Sequence, residues 1–190
     1  MAKLTGGKRV TFFISDTHFG DSEDGFVILG RENIFENKDD MINQLIENWN
    51  ATVRKSDTVY HLGDVFWGLS DEVRKDIIRQ LNGTKILIMG NHDRDHDLDY
   101  WRKIGFNKVY DMPVLYNNGF LLSHEPIYIT YGPIINIFGH VHSSTIYKDY
   151  SPTHFCACVE RINYTPVTEE YIRFCVNKAR REAFLRDAYK

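Results

Sequence analysis

Five times along this chain a short apolar run ends in residues that bind metals or move protons. Phe12-Phe13-Ile14 is followed by Ser15-Asp16-Thr17-His18, and Tyr60-His61-Leu62 by Gly63-Asp64. Ile86-Leu87-Ile88-Met89 runs into Gly90-Asn91-His92-Asp93, and Phe120-Leu121-Leu122 into Ser123-His124-Glu125. Ile135-Asn136-Ile137-Phe138 runs into Gly139-His140-Val141-His142. Apolar runs of this length read as strands buried on both faces. In open α/β sheets, sites assemble beyond the carboxyl ends of strands. One Asp-x-His or one Gly-Asp alone is usually just a turn. Five together restrict the chain to a fold that gathers these strand ends around one polar site.

The segments between the runs fit an α/β class. Lys38 to Val53 follows a helical period, with Met41, Leu45 and Trp49 on one stripe and Asp39 and Asp40 in the first turn. Ser70 reads as the N-cap of a helix carrying Val73, Ile77, Ile78 and Leu81, which Asn82-Gly83 stops. Leu98 to Ile104 is a polar and aromatic helix, and Thr168-Glu169-Glu170 opens a last one. Arg9 to Ile14, Asp57 to Leu62, Lys85 to Met89, Ile134 to Phe138 and His154 to Val159 read as strands. Asn117-Asn118-Gly119 between two extended runs signals a hairpin, so the sheet is expected to be mixed. Residues 21–37 match no period. With 190 residues, 43% of them hydrophobic, and no linker or repeat, residues 1–190 read as a single domain with one core.

Charge and cysteine usage exclude other classes. A net charge of −3 and no basic block argue against stable binding to nucleic acid. No apolar run approaches a membrane span, and the polar lead-in Met1 to Arg9 is not a secretory signal. Cys156, Cys158 and Cys175 lack metal-site spacing and read as buried reduced thiols. The expected setting is the cytoplasm, away from membranes.

The donors at the strand ends are carboxylates, imidazoles and one amide oxygen, with no thiolate among them. That set suits manganese, iron, zinc or nickel better than a structural Cys-type zinc site. Seven candidate ligands exceed what one tetrahedral ion takes. Two divalent ions sharing a bridging carboxylate accommodate them.

The blocks, in this order, resemble the motifs of the calcineurin-like metallophosphoesterases, closest to a small bacterial and phage-type branch. The resemblance runs from Phe12 to His142. It implies a double β-sheet sandwich flanked by helices. It also implies a metal-dependent hydrolase of phosphate esters, a phosphodiesterase or small-molecule phosphomonoesterase that uses a metal-bridging hydroxide. By resemblance, the first metal takes Asp16, His18 and His142, and the second takes Asn91, His124 and His140. Asp64 bridges them, His92 faces the substrate as proton donor, and Asp93 orients or polarises His92. Two ions are implied, with Mn²⁺ first and Fe, Zn²⁺ or Ni²⁺ as alternatives.

Other residues are open to two readings. Arg94 either reaches a phosphate oxygen or is a solvated charge beside Asp95 and Asp97. Arg31 and Asn33 are expected to shape the substrate entrance. His61 either hydrogen-bonds a ligand or packs in the core. His96 reads as solvated, and His154 has no assigned role. Phe66, Trp67, Tyr100 and Trp101 could stack a nucleobase but read first as core or rim. Trp67 also departs from the family pattern, because many relatives carry an Asp there. The expected partner is a small phosphate ester such as a nucleotide, and the oligomeric state is not legible. The competing functions are a catalytically weak metal-binding scaffold for a protein partner, and a nuclease.

Overall fold

The computed structural model describes residues 8–20, 22–117, 119–129 and 132–188. The lead-in up to Gly7, Asp21 and the Asn118 of the hairpin signal lie outside the described residues.

Two sheets form. In the first, β1 (Thr11–Ile14), β2 (Thr58–His61), β3 (Thr84–Ile88) and β4 (Lys108–Tyr110) run parallel in the order β4-β3-β2-β1. In the second, β5 (Val114–Tyr116) pairs antiparallel with β6 (Phe120–Leu122), and β7 (Ile135–Phe138) and β8 (His154–Cys156) continue parallel to β6. A two-residue β9 (Val167–Thr168) closes the first sheet antiparallel to β1. Both sheets are therefore mixed, as expected, and they form the sandwich that the resemblance implied.

The apolar faces explain the layering. Phe13 of β1 stacks on Tyr60 of β2 and meets Tyr116 and Phe120 from the second sheet at ring-centroid distances of 6.0 and 6.1 Å. One apolar cluster runs from Met41, Leu45 and Trp49 through both sheets to Ile172 and Val176.

The helices begin where the sequence supplies caps. α1 (Glu23–Ile28) starts at Ser22, whose hydroxyl accepts from Gly25 N–H at 2.8 Å. Asn37 caps α2 (Lys38–Thr52) by accepting from Asp40 N–H at 2.9 Å. Ser70 caps α3 (Asp71–Gln80), and Asp97 caps α4 (Leu98–Ile104) with a 2.7 Å bond from Tyr100 N–H. Each cap satisfies an N–H that the helix itself leaves unpaired. α5 (Glu169–Ala188) runs back along the sandwich.

Three expectations are corrected. Residues 21–37 contain α1 and a 3₁₀ turn at Arg31–Asn33. The strand expected over His154 to Val159 ends at Cys156 and gives way to a 3₁₀ turn at Val159–Arg161. β4 and β9 were not expected at all. With three and two residues, they carry too short a pattern to stand out.

The register levels the strand ends. Ile14 pairs with His61, and His61 with Leu87. In the second sheet Leu122 pairs with Ile137, and Phe138 with Cys156. The sheets meet at these carboxyl ends, where Ser15 N–H donates to Ala157 O at 2.9 Å and Val159 N–H to Ser15 O at 3.1 Å.

Candidate metal centre

Past the strand ends, the chain turns sharply while still paired. Asp16 N–H donates to Gly63 O at 3.0 Å, and His18 N–H to Asp64 O at 3.1 Å. Asp16, His18, Asp64, His140 and His142 all sit in the left-handed region, with φ between 43° and 68°. That conformation costs roughly 1–2 kcal/mol per residue, and such strain clusters at functional sites. Gly139 makes the close approach feasible, since a β-carbon there would overlap Ser15 Oγ and Asp16 Oδ2. With none present, the Asp16 carboxylate accepts His140 N–H at 2.9 Å.

The turns assemble two groups of potential ligands. Asp16, His18 and His142 form the first, and Asp64, His124 and His140 the second, each with donor atoms within 4.8 Å of one another. Asn91 belongs with the second, its Oδ1 2.9 Å from His124 Nε2 and 3.0 Å from His140 Nδ1. Asp64 lies between the groups: its Oδ2 is 3.7 Å from His18 Nε2 and 3.4 Å from His124 Nε2. Each group draws residues from both sheets.

The electrostatics fit a cation. Asp16 and Asp64 are buried close together. Burial and the Asp64 charge raise the Asp16 pKa against the pull of His124 and His142. Burial also works against Asp64, but His124 and His18 overcome it and bring its pKa down to about 2. Burial opposes the proton on His124 as well, yet Asp64 and Asp16 push its pKa up to about 9. The protein thus draws positive charge into this pocket. His18 is the clearest sign: burial lowers its pKa to about 3, and neither ring nitrogen has a hydrogen-bond partner among the described residues. A buried imidazole left unpaired is costly unless something electron-poor takes its lone pair. The donor set and this orphaned ring fit two divalent cations.

His92 stands at the mouth. Its backbone N–H donates to Asp64 Oδ1 at 3.0 Å, and its ring Nε2 is 4.0 Å from Asp64 Oδ2. The ring is 39% exposed and meets the indole of Trp67 edge-on at 4.5 Å. Trp67 lines the rim, whereas Phe66 and Trp101 are core and stack on each other. Tyr100 stacks on His96 and is tied to Asp71 and Arg74.

Several expected roles change. Asp93 does not orient the His92 ring. Its buried carboxylate accepts three backbone N–H bonds, from Asp64 (2.8 Å), Gly90 (2.9 Å) and Val65 (3.1 Å), and so clamps two ligand loops together. Burial and the nearby Asp64 raise its pKa to about 6 against those three bonds. Arg31 does not line an entrance. It is fully buried and donates to Asp16 O at 2.8 Å, Thr17 O at 3.0 Å and Glu160 Oε1 at 2.8 Å. Asn33 is exposed and bonds to Gly30 O and Glu32 within its own turn. Arg94 pairs with Glu125 at 4.0 Å, beside His124 at the wall of a small cleft.

Among the described residues, His61 hydrogen-bonds to Thr17 and Gly63 and to no ligand side chain. Thr17 donates its hydroxyl to Val65 O, so it must accept from His61 Nε2, 2.9 Å away. His61 Nδ1 is then free to accept Gly63 N–H at 3.3 Å. Burial keeps this ring neutral, with a pKa of about 3. His154 braces the loop before β7 by a bond to Ile127 O at 2.9 Å.

Sequence reasoning missed Glu160. Its Oε1 lies 3.2 Å from His142 Nδ1, on the far side of the ring from Asp16. The signal was present, because the apolar run ending at Val159 is followed by Glu160-Arg161 in the same way as the other five blocks.

Residues 10–165 match the calcineurin-like phosphoesterase family, and the chain belongs to that family. Membership implies metal-dependent hydrolysis of phosphate esters. Among relatives, uncharacterized protein MJ1445 of Methanocaldococcus jannaschii is 31% identical over 179 residues, which cover 90% of this chain and 94% of that protein. The crystal structure of AQ665, a protein of unknown function from Aquifex aeolicus, is similar with a TM-score of 0.65 at 30% identity. The match covers 87% of this chain and 98% of that one.

Proposed function

We propose that this protein hydrolyses small phosphate esters, diesters before monoesters, with two divalent cations of which manganese is the first choice. The observation that carries the reading is Asp64, whose one oxygen faces both ligand groups at 3.7 and 3.4 Å. Asp16, His18 and His142 would hold one cation and Asn91, His124 and His140 the other, with Asp64 shared. Bound there, the cations would supply acidified water and positive charge for the phosphoryl oxygens.

The chain's own residues do the rest. Hydrolysis forms one P–O bond from water, breaks the ester P–O bond, and leaves an alkoxide that needs a proton. His92, exposed at the rim and anchored through its backbone to Asp64, is the residue that would give that proton. Asp93 and Arg31 keep the loops at fixed spacing. The net charge of −3 and the absence of a basic block favour a small ester, such as a nucleotide, over a nucleic-acid chain. Three free, buried cysteines support a reducing, cytoplasmic setting. No described helix is long and apolar enough to cross a membrane.

The test is to strip the protein of metal, restore Mn²⁺, Zn²⁺, Ni²⁺ or Mg²⁺ singly, and assay bis-(nitrophenyl) phosphate beside nitrophenyl phosphate. Turnover of the diester with at least one metal is expected. No turnover of either ester with any metal would overturn the reading in favour of a binding scaffold.

A further inference from the structure

Behind the first ligand group lies a buried network whose carboxylate, Glu160, the phosphoesterase reading leaves without a task. Glu160 sits in the 3₁₀ turn after β8, almost fully buried. Its Oε1 accepts from Arg31 Nε at 3.2 Å and Arg31 Nη2 at 2.8 Å, and lies 3.2 Å from His142 Nδ1. An ionised carboxylate can only accept, so His142 Nδ1 carries a hydrogen, and in the neutral ring His142 Nε2 is the nitrogen that keeps a lone pair. That lone pair is on the side of Asp16, 3.7 Å from Oδ1. The neighbouring Arg161 grips the same loop through its backbone, donating to His142 O, to Ser144 O and to Tyr147 O.

The second group is backed differently. His124 Nδ1 lies 2.8 Å from Leu62 O, a neutral carbonyl, and Nε2 faces Asn91 and Asp64. A carboxylate behind an imidazole fixes its tautomer and makes it a stronger donor than a carbonyl does. Each group has two buried members, but the first is the more enclosed at its third, since His142 is half-buried whereas His140 and Asn91 of the second are exposed.

We propose that Glu160, locked by Arg31, is the positioning residue for the Asp16–His18–His142 site and makes it the tighter of two unequal cation sites. The inference rests on the two-cation reading above. It adds an order of affinity: a chelator removes the cation at Asn91, His124 and His140 first. Arg31 thereby gains a task at the metal centre in place of the substrate contact expected from sequence.

The experiment is calorimetric titration of metal-free protein with Mn²⁺ and with Zn²⁺, comparing wild type with Glu160→Gln, which keeps the size and removes the charge. Two binding events are expected in wild type. In the variant the tighter event should weaken by about 10–100-fold, as loss of such a partner does elsewhere, while the weaker event stays unchanged. The metal-free melting temperature should fall, because the buried Arg31 loses this carboxylate, so both proteins are titrated well below the variant's melting temperature. Two events that both persist at wild-type affinity, or that weaken equally, would overturn the role of Glu160 and leave the two-cation reading standing. Fewer than two events in wild type would overturn both.

A second measurement does not depend on the variant folding. Long-range ¹H–¹⁵N correlation of ¹⁵N-labelled wild type at alkaline pH, free of metal, should show His142 protonated at Nδ1. The Nε2-protonated pattern would sink the proposal.

Discussion

His92 belongs to a block whose other side chains have settled tasks. Asn91 reaches the two histidines of the second group, and Asp93 is occupied by backbone N–H bonds. His92 presents its ring to solvent and to Trp67; its hydrogen bond to Asp64 is made by its backbone, and its ring Nε2 stands off at 4.0 Å. Its side chain can therefore be truncated without removing a ligand. For His92→Ala we expect both cations to stay bound by elemental analysis, with kcat on the diester falling about 10²–10⁴-fold, the range for loss of a general acid. A variant that loses metal as well as turnover would contradict the separation drawn between His92 and the ligands.

At the scale of elements, the chain anchors the opposite end of the first sheet with a different device. Asp57, just before β2, accepts Val10 N–H at 3.0 Å, Arg54 N–H at 2.9 Å and two bonds from the Arg54 guanidinium at 2.9 Å. The bond from Arg54 leads in holding its pKa down to about 2, below the ordinary 3.8. A depressed carboxylate pKa stabilises the fold above the unfolded value and loses that contribution as pH falls from about 4 to about 2. Asp57→Asn should therefore lower the melting temperature at neutral pH, and the gap to wild type should narrow as the pH drops below about 4. A gap that stays constant with pH would show that packing, not charge, ties β1 to β2.

Elements with their own local signature were legible in the sequence. The helices α2, read from its apolar stripe and first-turn acids, and α3, read from its stripe and the Ser70 cap, begin at the expected residues, as does the polar and aromatic α4. The strands that feed the site were legible because each apolar run ends in a polar block. Residues that act across long separations were not. Nothing near Arg31 announces that it pairs with Glu160, 129 positions away, and an Arg in an unassigned stretch reads as part of the substrate entrance. Asp93 misled for a related reason: an acid beside a histidine suggests a partnership, but the backbone N–H groups of Asp64 and Val65 were closer in space. Both are cases where tertiary contact decides what a local pattern leaves open.

On the scale of the whole molecule, the two sheets touch through apolar rings at their centre and through Ser15, Ala157 and Val159 at their carboxyl ends. Each ligand group takes residues from both: Asp16 and His18 with His142, and Asp64 and Asn91 with His124 and His140. A cation seated in either group is then a staple across the sandwich. Opening either sheet would break both chelates at once, so metal should couple the two layers into one cooperative unit. At 100 times Kd, one such site adds about 2.7 kcal/mol to global stability. Hydrogen–deuterium exchange gives the sharper readout: with Mn²⁺ added, amides near the ends of β1 and β2 should slow together with those of β6 and β7. Protection confined to one layer would mean that the staple closes on that sheet alone.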